Sequence, residues 1–73
     1  MNQPALFTAR VLHDGEWFIA FSPEIPEGNG QGLTGLEAIE SLRQSILLVL
    51  EDRREDARAT LGSGEKLIPL ALA

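Results

Sequence analysis

Between Trp17 and Leu50 an apolar strand, a Ser22-Pro23-Glu24-Ile25-Pro26 turn, a glycine-rich step and a capped helix follow one another without interruption. Pro23 and Pro26 end the strand, because a proline donates no ladder hydrogen bond and holds the residue before it in extended geometry. Gly28, Gly30 and Gly32 permit tight or left-handed backbone around Gln31. Thr34, three residues ahead of Glu37 and just before an apolar periodic run, is the signature of a capping box. Turn and helix start are both encoded locally.

The flanking segments extend this pattern. Ala5 to Leu12 alternates as a strand does, with Phe7, Ala9 and Val11 on one side and Leu6, Thr8, Arg10 and Leu12 on the other. Asp14-Gly15 signals a hairpin, and as a two-residue loop it sets Val11 opposite Phe18, Ala9 opposite Ala20 and Phe7 opposite Ser22. A short third strand is expected near Asn29 to Leu33. The helix is expected from Gly35 to Thr60, with Leu36, Ile39, Leu42, Ile46, Val49 and Leu50 on one side and a stop at Gly62. A helix of that length spans roughly 39 Å against roughly 24 Å for a seven-residue strand, so its charged end from Glu51 to Arg58 should overhang the sheet. Glu51/Arg54 and Glu55/Arg58 can pair there. Lys66 to Leu72 reads as a final strand, at an edge because of Pro69.

These residues resemble the amino-terminal domain of HicB-type antitoxins. The matching pieces are Trp17 to Phe21, Pro23-Glu24-Ile25-Pro26, Gln31-Gly32-Leu33-Thr34, and Glu37-Ala38 followed by Leu42 and Ile46. The resemblance runs from about Phe7 to the final strand and has two departures: a more glycine-rich step at Glu27-Gly28-Asn29-Gly30, and no DNA-binding module after that strand. It implies a partner that is a small, basic HicA-type ribonuclease toxin, masked rather than modified. Transcriptional autoregulation is not expected of a chain ending there.

The expected architecture is α+β: one two-layer β-β-β-α-β domain over residues 1–73, with one long helix packed on one face of a mixed four-stranded sheet. A right-handed crossover would bring the last strand beside and parallel to the first, giving sheet order 3-2-1-4. One helix covers one face. Ala9 and Ala20 make the Phe7, Val11, Phe18 face the easier to approach, leaving Leu6, Leu12, Trp17, Ile19 and Phe21 uncovered. That open face is the candidate interface, since Trp is enriched at hot spots. Glu24, Glu27, Glu37 and Glu40 form an acidic rim around the turn and the helix start; Glu37 is assigned to the cap, and Glu24 and Glu27 join the candidate interface.

Composition narrows the partners. Six basic against eleven acidic residues give a formal charge of −5, so clustered Lys and Arg for phosphate-backbone binding are missing and direct nucleic-acid binding is not expected. A chain this small buries only roughly 60% of its unfolded surface, and without cysteine it has no disulfide staple, so assembly with itself is expected. No apolar run is long enough to span a bilayer and no leader is recognisable, which makes a cytoplasmic location the simplest expectation.

Catalytic chemistry finds little support. The order of elements is also that of the first part of a ribonuclease H fold, but Thr8-Ala9-Arg10 and Leu67-Ile68-Pro69-Leu70 place no carboxylate where paired metals would bind. His13 beside Asp14 could be an acid-base pair, yet a hairpin tip explains both residues better. The glycines from Gly28 to Gly35 match neither nucleotide-binding fingerprint, and no Lys follows them. No enzyme activity, cofactor or metal is expected.

Overall fold

A computed structural model describes residues 7–71. Strands β1 (Arg10–Asp14), β2 (Trp17–Phe21) and β3 (Asn29–Gly32) form an antiparallel sheet in the order β1-β2-β3, followed by the single helix α1 (Gly35–Ala59). The expected four-stranded mixed sheet of order 3-2-1-4 is therefore corrected to three antiparallel strands and one helix. Residues 61–71 contain no strand. A turn closed by the Glu65 N–H on the Gly62 carbonyl, with Gly64 at φ 88°, sends this segment back beside Arg54, Ala57 and Arg58 instead of to the sheet. Pro69 removes a ladder donor as well. Leu72, the last residue of that expected strand, lies outside the described residues.

The first hairpin is also shifted. Asp14 pairs with Trp17, so the loop is Gly15-Glu16 rather than Asp14-Gly15, and Val11 faces Ala20 instead of Phe18. Of the two loop residues only Gly15 has a positive φ, at 62°, which is the type II′ pattern with glycine first. A slip of two residues preserves the faces: Val11, His13, Phe18 and Ala20 stay together, and Arg10, Leu12, Asp14, Trp17, Ile19 and Phe21 take the other side. Ala5 and Leu6 lie outside the described residues, and Phe7 to Ala9 precede the strand.

What brings α1 onto β3 is the spacing of the glycines. Gly28, Gly30 and Gly32 recur every second residue, so all three turn to one face, and all are buried there. A Cβ on Gly30 would lie 2.5 Å from the Ala38 carbonyl oxygen and 2.8 Å from Leu42 Cα. None of the three has a positive φ. Their purpose is close approach of helix to strand; of the tight or left-handed backbone expected around Gln31, the left-handed alternative does not occur. The Asn29 N–H also donates to Ser45 Oγ at 3.2 Å, tying β3 to the helix.

The core formed this way is small: Ala20, Ile25, Ala38, Leu42 and Ile46, with Phe18, Val49 and Leu50 packed against it. The buried helix positions step by four along the glycine face. Leu36, counted among the apolar side from its spacing, is 81% exposed, because the first turn precedes that contact. Thr34 caps the helix as expected, its Oγ1 accepting from the Glu37 N–H at 3.1 Å and donating to the Glu37 carboxylate at 3.2 Å. The helix ends at Ala59, where the Thr60 N–H and hydroxyl both donate to the Asp56 carbonyl. Both expected pairs form, Arg54 to Glu51 at 3.8 Å and Arg58 to Glu55 at 2.6 Å. Among the described residues no helix is long and apolar enough to cross a membrane.

Candidate partner-binding face

The side of the sheet away from α1 has no covering element among the described residues. It carries Leu12 against Ile19 and Trp17 against Asp14, with Arg10 across from Phe21 at the far end. The Arg10 guanidinium sits 5.3 Å from the Phe21 ring centroid and shields part of it, as Ile19 and Phe21 are both half-buried. Trp17 is 46% exposed and Leu12 is similar. The expected open face thus consists, among the described residues, of Leu12, Trp17, Ile19 and Phe21, while Leu6 lies outside them.

The acidic residues divide differently from the expected rim. Glu24 is turned inward along the chain. Its carboxylate accepts from the Thr8 hydroxyl at 2.7 Å, the Thr8 N–H at 2.8 Å and the buried Ser22 hydroxyl at 2.9 Å. It takes over the hairpin ladder where Pro23 cannot donate, and so holds the approach to β1 against the turn. Glu27 pairs with Arg53 of the helix. The two rim carboxylates expected at the interface, Glu24 and Glu27, are thus both occupied within the chain.

Two other acids, Asp14 and Glu16, flank Trp17 at the hairpin tip, and neither has an ion-pair partner among the described residues. Most cations are taken: Arg43 by Glu40, Arg53 by Glu27, and Arg54 and Arg58 by Glu51 and Glu55. The tip is therefore an acidic edge beside an exposed indole. Sequence reading missed this because Asp14-Gly15 was assigned to turn chemistry; the run Asp14-Gly15-Glu16-Trp17 was the available signal.

His13 points to the other side. Neighbours on a strand face opposite ways, so His13 and Asp14 diverge, and the imidazole stacks on Phe18 with ring centroids 4.2 Å apart and planes within 2°. An acid-base pair of the two has no geometry here. Among the described residues no three His, Cys, Asp or Glu side chains group closely enough to hold a metal ion.

Glu24 gives this region a pH signature. Donation by the Thr8 hydroxyl, then by the Thr8 N–H and the Ser22 hydroxyl, holds its carboxyl at about 2, against 4.5 ordinarily. A carboxyl depressed in the fold adds stability that is complete above the unfolded value and is lost as pH falls through the folded one. The wild type should lose part of its stability between pH 4.5 and about 2. Glu24→Gln should flatten that part of the profile, read from urea midpoints at several pH values. A variant profile parallel to the wild type would show that Glu24 is not the group responsible.

Over 51 residues the chain is 53% identical to a UPF0150 protein of Synechocystis sp., a match covering 70% of this chain and 69% of that relative. The chain belongs to the UPF0150 family. That family is HicB-like, which accords with the resemblance carried by Pro23 to Thr34 and the helix start. No family model matches this UPF0150 protein, and no solved structure does.

Proposed function

We propose that this UPF0150 protein is a protein-binding module of the HicB antitoxin kind, which masks a small basic HicA-type toxin with the open face of its sheet. The observation that carries the reading is Trp17, a large aromatic left half exposed on an uncovered face, with the unpaired acids Asp14 and Glu16 beside it. An aromatic anchor with an acidic margin suits a basic protein: the indole supplies buried area and the carboxylates steer the encounter. Masking needs no chemistry from this chain.

The test is surface binding kinetics against a small basic toxin of the HicA type. Trp17→Ala should weaken binding roughly 30-fold, the equivalent of about 2 kcal/mol, mainly through faster dissociation. Replacing Asp14 and Glu16 together by Lys should slow association and flatten its salt dependence. Full affinity in both variants would remove this face from the interface.

A second reading, a self-assembling module without a toxin, is favoured by the amount of surface left open. The chain exposes 5979 Å², where a compact monomer of its mass exposes roughly 4,400 Å². Its radius of gyration is 15.5 Å against roughly 11 Å for a compact chain of this length.

A further inference from the structure

The two ends of the open face are built alike and finished differently. At one end the Arg10 guanidinium lies over the Phe21 ring, 5.3 Å from its centroid, so that this aromatic has its cation. At the other end Trp17 is 46% exposed and stands directly across the ladder from Asp14, with Glu16 beside it in the loop. Residues paired across a ladder share a face with their Cβ atoms roughly 5 Å apart, so the Asp14 carboxylate and the indole border the same spot. An indole is the best of the aromatic rings for a cation, and a carboxylate at its rim adds a charge-assisted hydrogen bond. Ring and carboxylates are in place there, and among the described residues no cation joins them.

The chain's own arginines are engaged elsewhere. Arg10 is on Phe21, four residues and roughly 13 Å along the strand from Asp14. Arg43, Arg53, Arg54 and Arg58 are paired with Glu40, Glu27, Glu51 and Glu55. The one lysine, Lys66, begins the segment that lies beside the charged end of α1. A second copy would bring arginines engaged in the same way, which points to a different chain as the source.

We propose, building on the open face as the partner-binding surface, that Trp17, Asp14 and Glu16 receive an arginine of the partner, its guanidinium stacked on the indole and donating to the Asp14 carboxylate. A planar guanidinium can lie flat on a ring while its edge forks toward a carboxylate, whereas an ammonium is a compact, strongly hydrated point charge that does not stack. Glu16 adds a second negative charge to the approach. Arg10, roughly 13 Å away, lies beyond the screening length of roughly 8 Å at physiological salt and does not oppose it.

Trp17 is the single tryptophan, so its indole N–H gives one resonance in a nitrogen-15 spectrum of the full chain. Titration with Nα-acetyl-arginine amide should move that resonance along a saturating curve. Nα-acetyl-lysine amide, which matches its charge and ionic strength, should move it roughly five-fold less at equal concentration. The Asp14→Asn, Glu16→Gln double variant keeps the side-chain shapes at exposed positions, and its arginine response should fall by a similar factor while backbone resonances away from the tip stay in place. An indole resonance that ignores arginine, follows lysine equally, moves alike in the neutralised variant, or shifts when the protein alone is diluted, as departure of a second copy would cause, would each overturn the arginine site. Toxin affinity that falls in Trp17→Ala beside a null arginine titration would overturn the arginine alone and leave the face as the interface. Arginine binding with toxin affinity intact in that variant would support the arginine site and remove the toxin.

Discussion

Gly30→Ala should leave this protein barely folded. Ordinarily such a change in a strand interior gains about 0.5–1 kcal/mol, because alanine loses less backbone freedom than glycine. Here the sign reverses. The added methyl would stand 2.5 Å from the Ala38 carbonyl oxygen and 2.8 Å from Leu42 Cα, with the Leu42 N–H nitrogen nearer still. All three are helix backbone, so no side-chain rotation can make room, and the whole of α1 must lift off β3. Overpacking typically costs about 1–3 kcal/mol and occasionally more, and a rigid obstacle belongs at the upper end. Total stability for a chain of this length is only about 4–11 kcal/mol.

The neighbouring glycines grade the effect. At Gly32 the added methyl would crowd Glu37 Cβ and come within 2.9 Å of the Ala38 N, while at Gly28 it would meet the flexible Ile46 Cγ1 at 3.1 Å. Urea midpoints should therefore fall in the order Gly28→Ala, Gly32→Ala, Gly30→Ala, the last losing most. Equal stability in all three would mean that the helix does not rest on the strand backbone.

Much of this packing was legible in the sequence, and the exceptions have definite causes. The alternation of Trp17 to Phe21 sorted β2 into two faces, the small Ala20 marked the one the helix approaches, and a register slip of two could not change it. Thr34 and Glu37 marked the helix start because a cap is a contact three residues long. The glycines were visible too. Their two-residue spacing described a flat strand face, but the same residues also suit turns, and composition alone does not choose between the two. Glu24 could not be assigned from local pattern, since its partner Thr8 is sixteen residues away and their meeting depends on the hairpin register. The final segment shows the same limit. Lys66 to Ala71 carries a strand-like composition, but a strand needs a pairing partner, and the turn at Gly62 to Gly64 leads it elsewhere. For the candidate site, the open aromatic face could be read in advance, while the division between internally used carboxylates and free ones required three-dimensional pairing.

Leu42→Ala is the second change expected to be severe, and the reason is how few large side chains share the burden. Of the five core residues two are alanines, leaving Ile25, Leu42 and Ile46 as the large ones. Leu42 is 3% exposed and is the middle one of the buried helix positions Ala38, Leu42 and Ile46. Leucine-to-alanine changes in cores cost about 2–5 kcal/mol, rising with the cavity that persists. Leu36→Ala and Leu48→Ala, on exposed positions of the same helix, should stay within about 0.5 kcal/mol of wild type. The comparison separates burial from helix propensity, because all three replace leucine by alanine within α1. Denaturation should be followed in all three. A Leu42→Ala protein as stable as Leu36→Ala would show that the apolar stripe of α1 faces some other way than toward β2 and β3.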